Sequence, residues 1–177
     1  MVVATPAVDL LVRNATAHRL HEYRHEPGAT SIGRAAAAAL AAEPDRVFKT
    51  LVVVADGELV VAVVPVSGEL DVKAFAAAIG AKRVAMADRI IAERATGYVV
   101  GGISPLGQKR RLPTVVDQSA ERWPTVFVSG GRRGLEIELA PGDLVSLTGG
   151  KTAVLARSGG RGTRGGEATP DDVDGTS

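Results

Sequence analysis

The sequence predicts an α+β domain with a mainly antiparallel sheet. Three observations point there. Apolar β-branched runs lie close together and are joined by turn residues such as Ala55-Asp56-Gly57, the pattern of hairpins. Capped helical stretches interrupt these runs without the regular strand–helix alternation of a doubly wound sheet. Hydrophobic residues make up 45% of the 177 positions and aromatic ones only 3%, so the core is built from Val, Leu, Ile and Ala.

The elements follow in order. Residues 6–14 carry apolar positions at Ala7, Val8, Leu10 and Leu11, behind Thr5 as N-cap and Pro6 in the first helical position. Residues 18–25 read as a short polar strand, and Thr30 or Ser31 caps an alanine-rich helix over 34–42. Residues 47–54 and 58–65 form a hairpin. Asp71 opens a helix that runs to about residue 79 and ends at Gly80. A short strand at 83–85 and a helix at 86–96 precede the glycine-rich stretch Gly101-Gly102-Ile103-Ser104-Pro105-Leu106-Gly107. Strands at 114–116, 125–128 and 135–139 and a closing helix or turn from Asp143 complete the domain.

Composition sets outer limits. There is no cysteine, which removes disulfides, thiolate nucleophiles and cysteine metal sites. His18, His21 and His25 match no known ligand spacing, so neither a metal nor a cofactor is expected. Twenty-one basic and 20 acidic residues leave a net charge of +1, which selects no partner. No apolar run reaches the roughly 20 residues of a membrane span, and the first residues lack a signal-peptide pattern, so a cytoplasmic location is expected. Composition shifts at Arg157. Residues 1–156 read as one domain and 157–177, rich in Gly, Arg and Asp, as a disordered tail.

Four features could carry chemistry, and each has a plainer reading beside it. Lys49 alternates with Val47, Leu51 and Val53, which puts an ammonium on an apolar strand face. It is either a functional group or an edge residue whose amine reaches solvent. The stretch from Gly101 to Gly107 is either a backbone nest for an oxyanion or a turn between strands. Ser129 ends a strand at a second glycine turn, after which Glu136 and Glu138 share one strand face. That face is solvated, or one carboxylate meets Lys49 or a substrate amine. Lys109-Arg110-Arg111 and Arg132-Arg133 are either charged turns or phosphate contacts.

These pieces also occur together in a familiar order. Ala4-Thr5-Pro6-Ala7, Val47-Phe48-Lys49-Thr50-Leu51, Thr96-Gly97-Tyr98-Val99-Val100-Gly101-Gly102-Ile103-Ser104-Pro105-Leu106-Gly107, Arg111-Leu112-Pro113-Thr114 and the segment from Val128-Ser129-Gly130-Gly131-Arg132-Arg133-Gly134 to Leu139 resemble the YbaK/EbsC family. Its members are Cys-tRNA(Pro)/Cys-tRNA(Cys) deacylases, free-standing relatives of the editing domain inserted in bacterial prolyl-tRNA synthetases. The resemblance implies a strongly curved, barrel-like sheet flanked by helices. It implies hydrolysis of mischarged Cys-tRNA(Pro) in trans, in transient company with prolyl-tRNA synthetase and without a cofactor. It further implies that the substrate thiol assists the reaction and that the glycine loop stabilises the oxyanion.

By position, the resemblance gives Lys49, Gly101, Gly102, Ile103 and Ser104 the catalytic roles. Tyr23, Phe48, Thr50, Ser129 and Glu136 take substrate contacts, Glu136 standing where relatives often have aspartate. Lys109, Arg110, Arg111, Arg132 and Arg133 are the candidates for tRNA phosphates. The alternatives are deacylation of another mischarged tRNA, carrying Ala or Ser, or a non-catalytic module that binds tRNA or a synthetase.

Overall fold

The computed structural model describes residues 4–158. The first helix, α1 (Pro6–Arg13), starts as its sequence dictates: the Thr5 hydroxyl accepts a hydrogen bond from the Val8 N–H at 3.2 Å, and Pro6 occupies the first turn. Strand β1 (His18–Glu22) follows, and then α2 (Ile32–Ala39), capped by Ser31. Strands β2 (Phe48–Ala55) and β3 (Glu58–Pro65) form the hairpin, turned by Asp56 and Gly57, both at positive φ. Strand β4 (Gly68–Leu70) precedes α3 (Val72–Ile79), which Asp71 caps and Gly80 ends in the left-handed region.

Strand β5 (Val84–Met86) and α4 (Arg89–Thr96) come next. The helix begins three residues later than its sequence pattern suggests, because the Asp88 side chain accepts the Ile90 N–H and caps it there. Beyond the glycine-rich stretch lie β6 (Thr114–Asp117), β7 (Val126–Ser129), β8 (Leu135–Leu139) and α5 (Pro141–Thr148). The short strands β9 (Lys151–Ala153) and β10 (Ala156–Ser158) end the described chain. Strand β10 carries regular structure two residues past Ala156; of the expected tail, residues 159–177 lie outside the described residues.

Five strands form the main sheet in the order β5-β2-β3-β6-β9, with β6 parallel to both its neighbours. A second sheet, β1-β8-β7, is antiparallel throughout, and β10 pairs with β4. None of these sheets closes on itself. A parallel bridge between Val47 and Phe127 joins the start of β2 to β7, and so stitches the two larger sheets together.

Both faces of the β2–β3 hairpin are buried, which explains its nearly unbroken apolar run. Phe48, Val52, Val61 and Val63 face the larger core with α1, α4 and α5. Val53, Ala62 and Val64 face a second core closed by Phe75 of α3. A small third cluster places Ala37 of α2 over Val47, Val66 and Phe127, at the seam of the sheets.

Helix α1 holds the glycine-rich stretch in place. An added Cβ at Gly107, whose φ is +65°, would lie 2.4 Å from the Pro6 carbonyl oxygen. Gly107→Ala is therefore expected to lower stability by about 2 kcal/mol or more, through a left-handed backbone and a backbone clash together. Urea unfolding measures this, and an unchanged midpoint would contradict the packing described.

Candidate active site

Two glycine turns face each other. At Gly102 an added Cβ would sit 3.0 Å from the backbone of Arg132 and Arg133, so the first turn lies directly against the second. At Gly131 it would meet the Tyr98 ring at 2.7 Å. Side chains pin the contact from three directions. The Thr5 hydroxyl donates to the Gly130 carbonyl (2.6 Å), an Arg133 N–H donates to the Val100 carbonyl (2.9 Å), and the Tyr98 hydroxyl donates to the Leu106 carbonyl (2.7 Å). Burial pushes the Tyr98 phenol up to about 12, so it stays a donor.

Inside the first turn the amides divide into two groups. Gly102 N–H bonds to the Val99 carbonyl, and Leu106 N–H bonds to the Ser104 hydroxyl. The amides of Ile103 and Ser104 have no acceptor among the described residues. Ser104 is fully buried and its hydroxyl serves the turn.

Helix α2 links this turn to the strand that carries Lys49. Ile32 abuts Gly101, Gly33 lies on Val66, and Ala37 packs on Val47. Lys49 stands two residues along β2 from Val47, on the same face, with about a quarter of its side chain exposed. Its ammonium pairs with Glu69 of β4 at 3.4 Å. Neither Glu136 nor Glu138 is its ion-pair partner, so the structure replaces the pairing that alternation suggested. Phe48 and Thr50 lie on the opposite face of β2: Phe48 is core, and the Thr50 hydroxyl is buried without a partner among the described residues.

The β1-β8-β7 sheet supplies the acidic face. Glu136 lies between His21 of β1 and Ser129 of β7 in register. It is only 7% exposed, and burial pushes its carboxyl up to about 8, with the Tyr23 hydroxyl beside it as partial compensation. Burial and the adjacent carboxyl push Tyr23 itself up to about 12. Glu138 is the contrast. It accepts from the Thr125 hydroxyl (2.7 Å), His21 (2.8 Å) and Arg46 (2.9 Å), which hold its carboxyl below the usual range. The Ser129 hydroxyl accepts from Gly131 N–H at 3.3 Å and shapes the second turn.

The basic residues fall into two sets. Lys109, Arg110 and Arg111 are exposed and continue directly from the glycine turn. Arg132 and Arg133 project from the second turn, where Arg132 reaches Glu22 at 3.4 Å. Sequence reasoning missed Glu69, which sits in a three-residue strand without periodicity, and the Glu138 cluster with Arg46 and Thr125. The alternation of Glu136 with Glu138 was the only signal pointing to the latter.

The α+β domain therefore holds a glycine turn, a strand-borne lysine and a buried carboxyl. The family model described as aminoacyl-tRNA editing domain matches residues 25–147, and this chain belongs to that family. A curated relative from Enterococcus faecalis, "Putative Cys-tRNA(Pro)/Cys-tRNA(Cys) deacylase EbsC", is 44% identical over 120 residues, 67% of this chain and 73% of that protein. Among solved structures, a "putative trans-editing enzyme for prolyl tRNA synthetase" superposes with a TM-score of 0.76 at 24% identity, over 89% of this chain and 100% of that one. A structure of a hypothetical protein gives a TM-score of 0.77 at 25% identity, over 86% and 100%. No helix among the described residues is long and apolar enough to cross a membrane.

The buried carboxyl makes a pH prediction. The unfolded Glu136 titrates near 4.5 and the folded one near 8. Between those values the folded state keeps a proton that the unfolded chain has released. Stability therefore falls as pH rises through that window, by up to about 1.4 kcal/mol per pH unit, and levels off above it. Glu136→Gln should remove this fall, so its melting temperature relative to the parent should climb from about pH 5 to about pH 8. A pH-independent difference between the two would contradict the assignment.

Proposed function

We propose that this chain hydrolyses the ester joining cysteine to the 3′ end of mischarged tRNA(Pro), acting in trans beside prolyl-tRNA synthetase. The observation that carries the chemistry is the pair of amides, Ile103 and Ser104, left without an acceptor in a turn packed against a second glycine turn. Two preorganised N–H donors are what a tetrahedral oxyanion needs. The choice of substrate is supported by the 44% identity to a protein named as a Cys-tRNA(Pro)/Cys-tRNA(Cys) deacylase.

The attacking thiol in this reading is the substrate's own, and the chain carries no cysteine that could stand in for it. It attacks its own ester carbonyl, the oxyanion forms against Ile103 and Ser104, and the ribose hydroxyl leaves. Hydrolysis of the resulting thiolactone frees cysteine. Intramolecular attack gains from proximity already fixed in the substrate. Lys49 positions the terminal ribose or phosphate, and its weak pair with exposed Glu69 leaves it free to exchange partners. Glu136 meets the substrate amine, whose ammonium supplies the counter-charge that this buried carboxyl lacks. Tyr23 and Ser129 frame that contact, while Phe48 and Thr50 support Lys49 from behind. Lys109, Arg110 and Arg111, with Arg132 and Arg133, meet acceptor-stem phosphates. The same reading takes the Val47–Phe127 bridge as the seam of a strongly curved, barrel-like wall behind the site, and residues 1–156 as the catalytic domain.

Lys49→Ala should abolish turnover and leave circular dichroism unchanged, since its pair with Glu69 contributes less than about 1 kcal/mol. Near-parental turnover would remove Lys49 from the mechanism. Cys-tRNA(Pro) should be deacylated at least about 100-fold faster than Ser-tRNA(Pro), because the hydroxyl is a far poorer internal nucleophile than the thiol. Equal single-turnover rates would rule out thiol assistance.

A further inference from the structure

A groove of about 780 Å³ is lined by none of the residues of the two glycine turns. Three arginines reach it from three different elements: Arg34 of α2, Arg122 of the 3-10 turn after β6, and Arg157 of β10. None of the three has a carboxylate partner among the described residues; Arg34 reaches only the Ser67 carbonyl, at 3.4 Å. Trp123, the sole tryptophan of the chain, forms part of the wall.

The acids nearby do not cancel this charge. Asp117 is buried, and its carboxylate is consumed by the amides of Ser119, Leu155 and Ala156, which tie β10 to the turn. Among the lining residues Asp45 is the one exposed acid, and Glu69, opposite Arg157 in register, has its carboxylate on Lys49. Ser119, also on the wall, has a buried hydroxyl with no partner among the described residues.

We infer that this groove binds a single strand of RNA, with backbone phosphates on Arg34, Arg122 and Arg157 and one base against Trp123. The inference rests on the tRNA-deacylase reading for its choice of nucleic acid. Guanidinium groups take phosphates in bidentate fashion, and an indole face takes any base. The groove's volume suits a nucleotide or two of one strand and is far too small for a duplex. Arg157 stands opposite Glu69 in strand register and Glu69 pairs with Lys49, so one end of the groove adjoins the lysine of the proposed site.

Because Trp123 is the only tryptophan, its fluorescence reports on the groove directly. The full chain is titrated with an uncharged acceptor-stem RNA hairpin ending in a single-stranded 3′ tail, across a salt series. The expected result is saturable quenching that weakens with salt. In the double variant Arg122→Gln/Arg157→Gln the affinity should fall at least about tenfold, and the slope of log K against log salt should become shallower by about 1.4, for two phosphates on a single strand. Both side chains are exposed and neither has a carboxylate partner among the described residues, and circular dichroism of the variant checks its fold. Binding without any change in Trp123 emission, or an unaltered salt slope in the double variant, would overturn the proposal. So would equal quenching by the blunt hairpin lacking the tail, or by an acidic peptide of matched charge. The readout needs no ester bond. Quenching as expected from a chain that fails to deacylate Cys-tRNA(Pro) would defeat the catalytic reading and uphold this one.

Discussion

The site depends on one steric fact: at Gly102 the backbone of one turn touches the backbone of the other. Gly102 lies against Arg132 and Arg133, and Gly131 against the Tyr98 ring. Glycine allows that approach, and three hydrogen bonds from Thr5, Tyr98 and Arg133 fix it. Each bond ends on a backbone carbonyl, and the amides of Ile103 and Ser104 have no acceptor among the described residues. Helix α1 shares in this work, since its capping threonine is also the residue that holds Gly130.

The second constraint is electrostatic. Glu136 and Glu138 are neighbours on one strand face, yet their environments drive them apart. Glu138 has a hydroxyl, an imidazole and a guanidinium around it and stays ionised. Glu136 has burial and one phenol and holds its proton to about pH 8. Two like residues on one face therefore present a charged group and a neutral one. The ionised one binds the strands to the 3-10 turn at Arg46, whereas the neutral one sits buried beside Tyr23.

Local chemistry made much of the fold readable. The caps at Thr5, Asp71 and Gly80 and the Asp56-Gly57 turn are local signals, and the structure uses each as such. Strands β4, β9 and β10 were not readable, because three residues carry no periodicity and their pairing is decided by distant partners. The parallel pairing of β6 with β3 and β9 was hidden for the same reason. In the site, alternation placed Lys49 on its face but could not name Glu69, which lies in one of those short strands. The family resemblance selected Phe48 and Ser104 by position, whereas the structure uses the first as core and the second as a turn former.

The central claim is that the contact of the glycine turns creates the oxyanion donors. Gly102→Ala tests it, since the added methyl would stand 3.0 Å from the opposing backbone and push the turns apart. The measurement is single-turnover deacylation of Cys-tRNA(Pro) at saturating enzyme, beside the affinity for uncharged tRNA. The account predicts a rate at least about 100-fold lower with affinity preserved, the usual cost of a displaced oxyanion donor. A parental rate in a folded variant would contradict it.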